Sequence, residues 1–96
     1  NRYDEAIELF EKAIKKDPKF TEAHLALATN YQIFGKYYDK MLYHYEQAVK
    51  SSPDNRKVMG AYYTLAGENL KQGKYDVAKQ YAEKFISFGE IPENYT

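Results

Sequence analysis

Ninety-six residues suit a single domain with a modest core. Fourteen basic and fourteen acidic residues cancel, and Arg2 and Arg56 are the only arginines. No long-range field therefore draws the chain toward nucleic acid or an anionic membrane. Cysteine is absent, which excludes disulfides and thiolate metal sites, and no apolar run reaches the roughly 20 residues that cross a bilayer.

The first predicted helix covers 2–16. Tyr3, Ala6, Phe10 and Ala13 follow one another by three, four and three residues, which places them on one helical face, and Pro18 ends the helix five residues later. Asp4 and Glu5 sit in its first turn, where carboxylates complement the helix dipole. A second helix, 21–34, carries His24, Leu27, Ala28 and Tyr31 and stops at Gly35, the residue best suited to a left-handed C-cap. The third, 37–51, repeats the first spacing with Tyr38, Met41, Tyr45, Ala48 and Pro53. The fourth, 55–72, repeats the second with Tyr62, Leu65, Ala66, Asn69 and then Gly73, and Asp54 is the expected N-cap. The fifth, 75–88, has Tyr75, Ala78, Ala82 and Phe85, with Glu90 at the proline place. Residues 89–96 show no period and read as loop.

The unit is thus helix, Gly-Lys-Tyr turn, helix, Pro-containing turn, recurring at about 35 residues, and such recurrence marks stacked helical repeats. Alternation of Ala with Tyr, Leu or Phe supplies the ridges and grooves that close helix pairs require. In this order, Leu–Ala, Tyr, Gly, Tyr, Ala, Phe or Tyr, Ala and Pro resemble the tetratricopeptide repeat family over residues 1–89. The resemblance implies an all-α, right-handed α-solenoid of antiparallel helix pairs. It divides 1–96 as a single domain into a half-repeat 1–20, repeats 21–55 and 56–92, and a tail 93–96. A start inside a repeat reads as a piece of a longer protein whose open ends invite self-association. Departures from the pattern are one extra residue after Gly35, about three after Pro53, Met41 for a small residue, Asn69 for Tyr and Ala82 for a large residue.

Nothing in the sequence assembles a catalytic, cofactor or metal site, and the chain reads as a non-enzyme. His24 falls in the aromatic slot of a first helix, where packing accounts for it. His44 is expected on a partly exposed face, and neither histidine has a sequence-supported partner for metal binding or base catalysis. Gly35-Lys36 and Gly73-Lys74 are helix caps rather than phosphate loops. Of the 11 tyrosines, Tyr3, Tyr31, Tyr38, Tyr45, Tyr62 and Tyr75 occupy motif positions and are expected to pack. Tyr37, Tyr43, Tyr63, Tyr81 and Tyr95 exceed the motif, and tyrosine favours binding surfaces.

The resemblance implies a function in protein–protein interaction, with a peptide or partner domain held in a concave groove lined by the first helix of each repeat. The inward positions are Glu22, Leu25, Ala26, Thr29 and Ile33 of one repeat and Gly60, Tyr63, Thr64, Gly67, Leu70 and Lys71 of the next. They suit a hydrophobic or mixed peptide. The Lys/Asn clamp of co-chaperone members is not matched, because Leu25 and Thr29, or Gly60 and Thr64, stand at those places and cannot grip a carboxylate. The other reading is a structural spacer that docks neighbours through its ends and convex face. Tyrosine excess and the Pro-Lys-Phe turn at 18–20 are loosely similar to repeat modules of bacterial cell-envelope proteins, which leaves the compartment open between cytoplasm and periplasm. No nucleic-acid partner and no membrane insertion are expected.

Overall fold

The computed structural model describes residues 2–89. Its elements are α1 (Arg2–Lys16), α2 (Thr21–Phe34), α3 (Tyr38–Ser51), a 3₁₀ turn (Arg56–Val58) leading into α4 (Met59–Lys71), and α5 (Tyr75–Ser87). No strand occurs among the described residues. Adjacent helices pack against one another: α1 on α2, α2 with α3, and α4 with α5, with a lesser contact between α3 and α4. The chain is an all-α helical repeat.

The punctuation residues act as their chemistry requires. Gly35 adopts φ 73°, and its N–H donates to the carbonyls of Tyr31 and Gln32 at the end of α2. Gly73 adopts φ 78°, and Lys74 N–H returns to the Asn69 carbonyl, closing the end of α4. The extra residue after Gly35 is absorbed at Tyr37, a left-handed non-glycine at φ 59° immediately before α3. The helix α3 begins at Tyr38, where the apolar spacing starts, one residue after the predicted bound at 37.

The fourth helix corrects the sequence reading. The α-helix begins at Met59 rather than near residue 55, with Val58 at its N-cap and no side-chain cap, and the 3₁₀ turn that leads into it is capped by Asn55, not Asp54. The Asn55 side chain accepts from Lys57 N–H at 2.9 Å. The residues inserted after Pro53 form a turn of their own, which carries Asp54 outward to an ion pair with Lys84 of α5. Insertion therefore becomes a tie between an inter-repeat turn and the last helix.

The core lies between α2, α3 and α4. Leu27, Ala28 and Tyr31 meet Met41, Tyr45, Ala48 and Val49, then Val58, Ala61, Tyr62 and Leu65. Met41 is buried, so the larger side chain at a small-residue position fills the interface instead of disrupting it. Asn69 uses its amide to bond the Leu65 carbonyl one turn back at 2.7 Å, satisfying a polar group where the pattern has a ring. α1 contributes no fully buried residue; Ile7, Phe10 and Ile14 rest half-buried on the core. Tyr81 of α5 and Phe88, the residue that caps its end, lie against Tyr62, with ring centroids 6.1 and 5.7 Å away.

Candidate partner-binding surface and a histidine pair

A recess of about 790 Å³ lies between α4 and α5. One wall is α4, through Tyr63, Thr64, Gly67, Leu70 and Lys71; the other is α5, through Tyr75, Ala78, Lys79, Ala82, Phe85 and Ile86. Large apolar side chains stand open there: Tyr63 is 67% exposed, Leu70 57%, Tyr75 68% and Ile86 72%. The Tyr63 ring leans on Phe85, with centroids 5.4 Å apart. At the margin, Glu68 accepts from the Tyr38 hydroxyl and pairs with Lys71 at 3.5 Å. The same Tyr38 contact joins α3 to α4 on the rim of the recess.

The predicted groove residues therefore divide. Tyr63, Thr64, Gly67, Leu70 and Lys71 line the recess; Glu22, Leu25, Ala26, Thr29 and Ile33 do not, and α2 reaches it through Gln32 alone. Leu25 packs partly into the core, Ala26 is half-buried, and Thr29, Gly60 and Ile33 are exposed. Glu22 bridges to Lys57 at 3.3 Å, and a backbone hydrogen bond, aided by Lys57, holds its carboxyl below the usual range. Sequence reasoning missed Tyr75, Lys79, Phe85 and Ile86, because it placed binding on first helices only.

The tyrosine expectation also needs correction. Tyr31, Tyr45 and Tyr62 are buried as motif residues should be, but Tyr3, Tyr38 and Tyr75 are exposed. These three stand at or near the first residue of their helices, where less of a neighbouring helix covers them. Among the tyrosines in excess, Tyr37, Tyr43 and Tyr63 are exposed while Tyr81 is half-buried. Tyr95 lies outside the described residues.

His24 and His44, read separately as a packing residue and a residue on a partly exposed face, meet. Their Nδ1 atoms are 2.9 Å apart, and His24 Nε2 lies 2.8 Å from the Pro18 carbonyl oxygen. His24 is 2% exposed. His44 is half-buried, in keeping with the partly exposed face expected for it, and stacks on Tyr31 at 6.0 Å. Burial first, then the nearby His24, push His44 down from the ordinary 6.5 to about 4; Glu11 opposes this and Lys40 adds to it. Among the described residues, no group of three or more His, Asp or Glu is placed to hold a metal ion, and no helix is long and apolar enough to cross a membrane.

Stacked antiparallel-type helix pairs with recurrent Pro and Gly punctuation define a helical-repeat protein. The family profile described as TPR repeat matches residues 1–32, and that described as Tetratricopeptide repeat matches residues 60–88. The chain belongs to the tetratricopeptide repeat family, whose members generally mediate protein–protein interaction without catalysing a reaction. No curated protein matches the chain.

Proposed function

We propose that this chain is a non-catalytic interaction module which holds a peptide or a partner domain on the α4–α5 side of its third repeat. The observation that supports this reading is the 790 Å³ recess, where Tyr63, Leu70, Tyr75 and Ile86 expose apolar area together. Soluble proteins seldom gather so many large apolar side chains at one place without a ligand for them. Thr64, Lys71 and Lys79 supply polar groups at the edge, so the partner is hydrophobic or mixed rather than highly charged.

The test is affinity capture with the intact chain beside Tyr63→Ala and Ala26→Arg. A protein retained by the intact chain and lost with Tyr63→Ala, but kept by Ala26→Arg, places binding in the recess. Loss with Ala26→Arg alone moves it to the α2 surface. Equal retention by all three refutes both and favours docking through the ends of the array.

A further inference from the structure

The recess repeats a place in the fold that is already filled. Tyr38, Met41, Tyr45, Ala48 and Val49 of α3 correspond, 37 positions on, to Tyr75, Ala78, Ala82, Phe85 and Ile86 of α5. On α3, Tyr45, Ala48 and Val49 are buried, in one cluster with Val58 of the 3₁₀ turn and Ala61 and Leu65 of α4. On α5, Ala82 and Phe85 are half-buried and Ile86 is 72% exposed. The opposite walls differ in the same way: Leu25 of α2 packs on the core, whereas Tyr63, its counterpart in α4, is exposed. A helix separates the two places. α4 follows α3 and packs on it, and among the described residues no helix follows α5.

The walls favour a helix over an extended chain. Both are themselves helices, whose backbone N–H and C=O groups are bonded internally, so the recess offers side chains alone. Of its polar side chains, Gln32 already accepts from the Tyr45 hydroxyl at 2.7 Å, and Glu68 accepts from Tyr38. An extended peptide would set unpaired backbone groups against Leu70, Phe85 and Ile86; a helix sets none. The recess follows α5 from Tyr75 to Ile86, about 16 Å at 1.5 Å per residue, or three helical turns.

Charge selects further. Where α4 lies on α3, Glu68 takes the Tyr38 hydroxyl. Tyr75, at the place of Tyr38, is 68% exposed. Beside it, exposed Lys79 stands where α3 has the half-buried Leu42. An acidic residue at the place of Glu68 would therefore meet a hydroxyl donor and a cation.

We propose that the recess is the seat of a single partner α-helix, which lies on α5 as α4 lies on α3. Its inward face carries a small residue, a leucine and an acid at i, i+4 and i+7, the places of Ala61, Leu65 and Glu68. This rests on the reading above that the recess is where the partner binds, and specifies that partner as helical and acid-flanked.

The probe is a peptide copying residues 55–72 of this chain. It is cross-linked on its outward face to hold the helix, since a free peptide of this length is marginally helical. Titrated into the isotope-labelled whole chain and followed by NMR, it should give saturable amide shifts centred on Gly67, Ala82 and Ile86. A peptide without the cross-link and with Leu65→Pro, which breaks the helix, should bind at least about tenfold more weakly. Ile86→Asp in the chain should weaken the parent peptide by at least about tenfold as well. Tyr75→Phe should weaken the parent peptide at least about threefold, and a Glu68→Ala peptide less than about 1.5-fold, because the acceptor is then gone. Equal binding of the Leu65→Pro peptide, lost with Ile86→Asp, gives the recess to an extended chain: the helix seat falls and the recess remains the binding surface. Shifts confined to α1 and α2, or no saturable shift, also overturn the seat, and capture by Tyr63→Ala then judges the surface separately. Shifts at Ile86 that grow with chain concentration, without peptide, overturn it in favour of a second copy. Equal effects of Tyr75→Phe on both peptides refute the register.

Discussion

The Tyr62 hydroxyl donates to the Pro53 carbonyl at 3.0 Å, as His24 Nε2–H donates to the Pro18 carbonyl at 2.8 Å. Both residues fill the same position of their repeats, and both tie the first helix to the proline turn that precedes it. The contact persists although three extra residues separate Pro53 from Tyr62, compared with the interval from Pro18 to His24. An aromatic ring with a polar tip at this slot thus locks the turn as well as filling the core.

Removal of the tip alone should show what the lock contributes. Tyr62→Phe keeps the ring and loses one hydrogen bond, an expected cost of about 0.5–1.5 kcal/mol. His24→Phe should cost more, about 1–3 kcal/mol, because it also leaves the Nδ1 of half-buried His44 without its hydrogen-bond partner. Urea unfolding of the two variants checks the order.

Stability should fall in acid. His44 is held at about 4 when folded, against an ordinary 6.5. The unfolded chain therefore binds more protons between those values, and the neutral-ring contribution is complete above about pH 6.5 and lost by about pH 4. Because His44 is only half-buried, solvent screening reduces the effect to about 1–2 kcal/mol. Unfolding midpoints across this interval, for wild type and His44→Phe, measure it; parallel curves would remove His44 as the cause.

The α2–α3–α4 junction should be the least tolerant region. Leu27 and Leu65 are the largest fully buried aliphatic side chains among the described residues. Replacement of either by alanine should cost about 2–5 kcal/mol, a large share of the stability of a domain this size. Leu9→Ala, at an exposed position, should change the same denaturation curve by less than about 0.5 kcal/mol.

Tyr37 sets two effects against each other. Its left-handed backbone costs about 1–2 kcal/mol relative to glycine. Against this, its ring meets Tyr31 at 5.5 Å and Phe34 at 6.3 Å and lies beneath the Lys40 ammonium at 5.1 Å. Each aromatic contact contributes about 0.5–1.5 kcal/mol, and glycine adds chain entropy to the unfolded state. Tyr37→Gly should therefore lower stability by about 1 kcal/mol, and a rise in the melting midpoint would show that backbone strain dominates.

Much of this molecule was legible along the chain. Steps of three and four residues, closed by Gly35, Gly73, Pro18 and Pro53, determined the helices and their order, because periodicity and turn chemistry are local properties. Asn55 in place of Asp54 as a cap was not legible: both are good cap residues, and the path of the inserted turn chooses between them. His44 was within reach, standing three residues after Met41 and four before Ala48 on the buried face, but the identity of its partner was not. Which side chains meet across two helices depends on their rotation and crossing, and these follow from packing the whole array. That packing alone decided that His24 and His44 share a hydrogen, and that Tyr63 and Leu70 open toward α5 instead of joining the α2 surface.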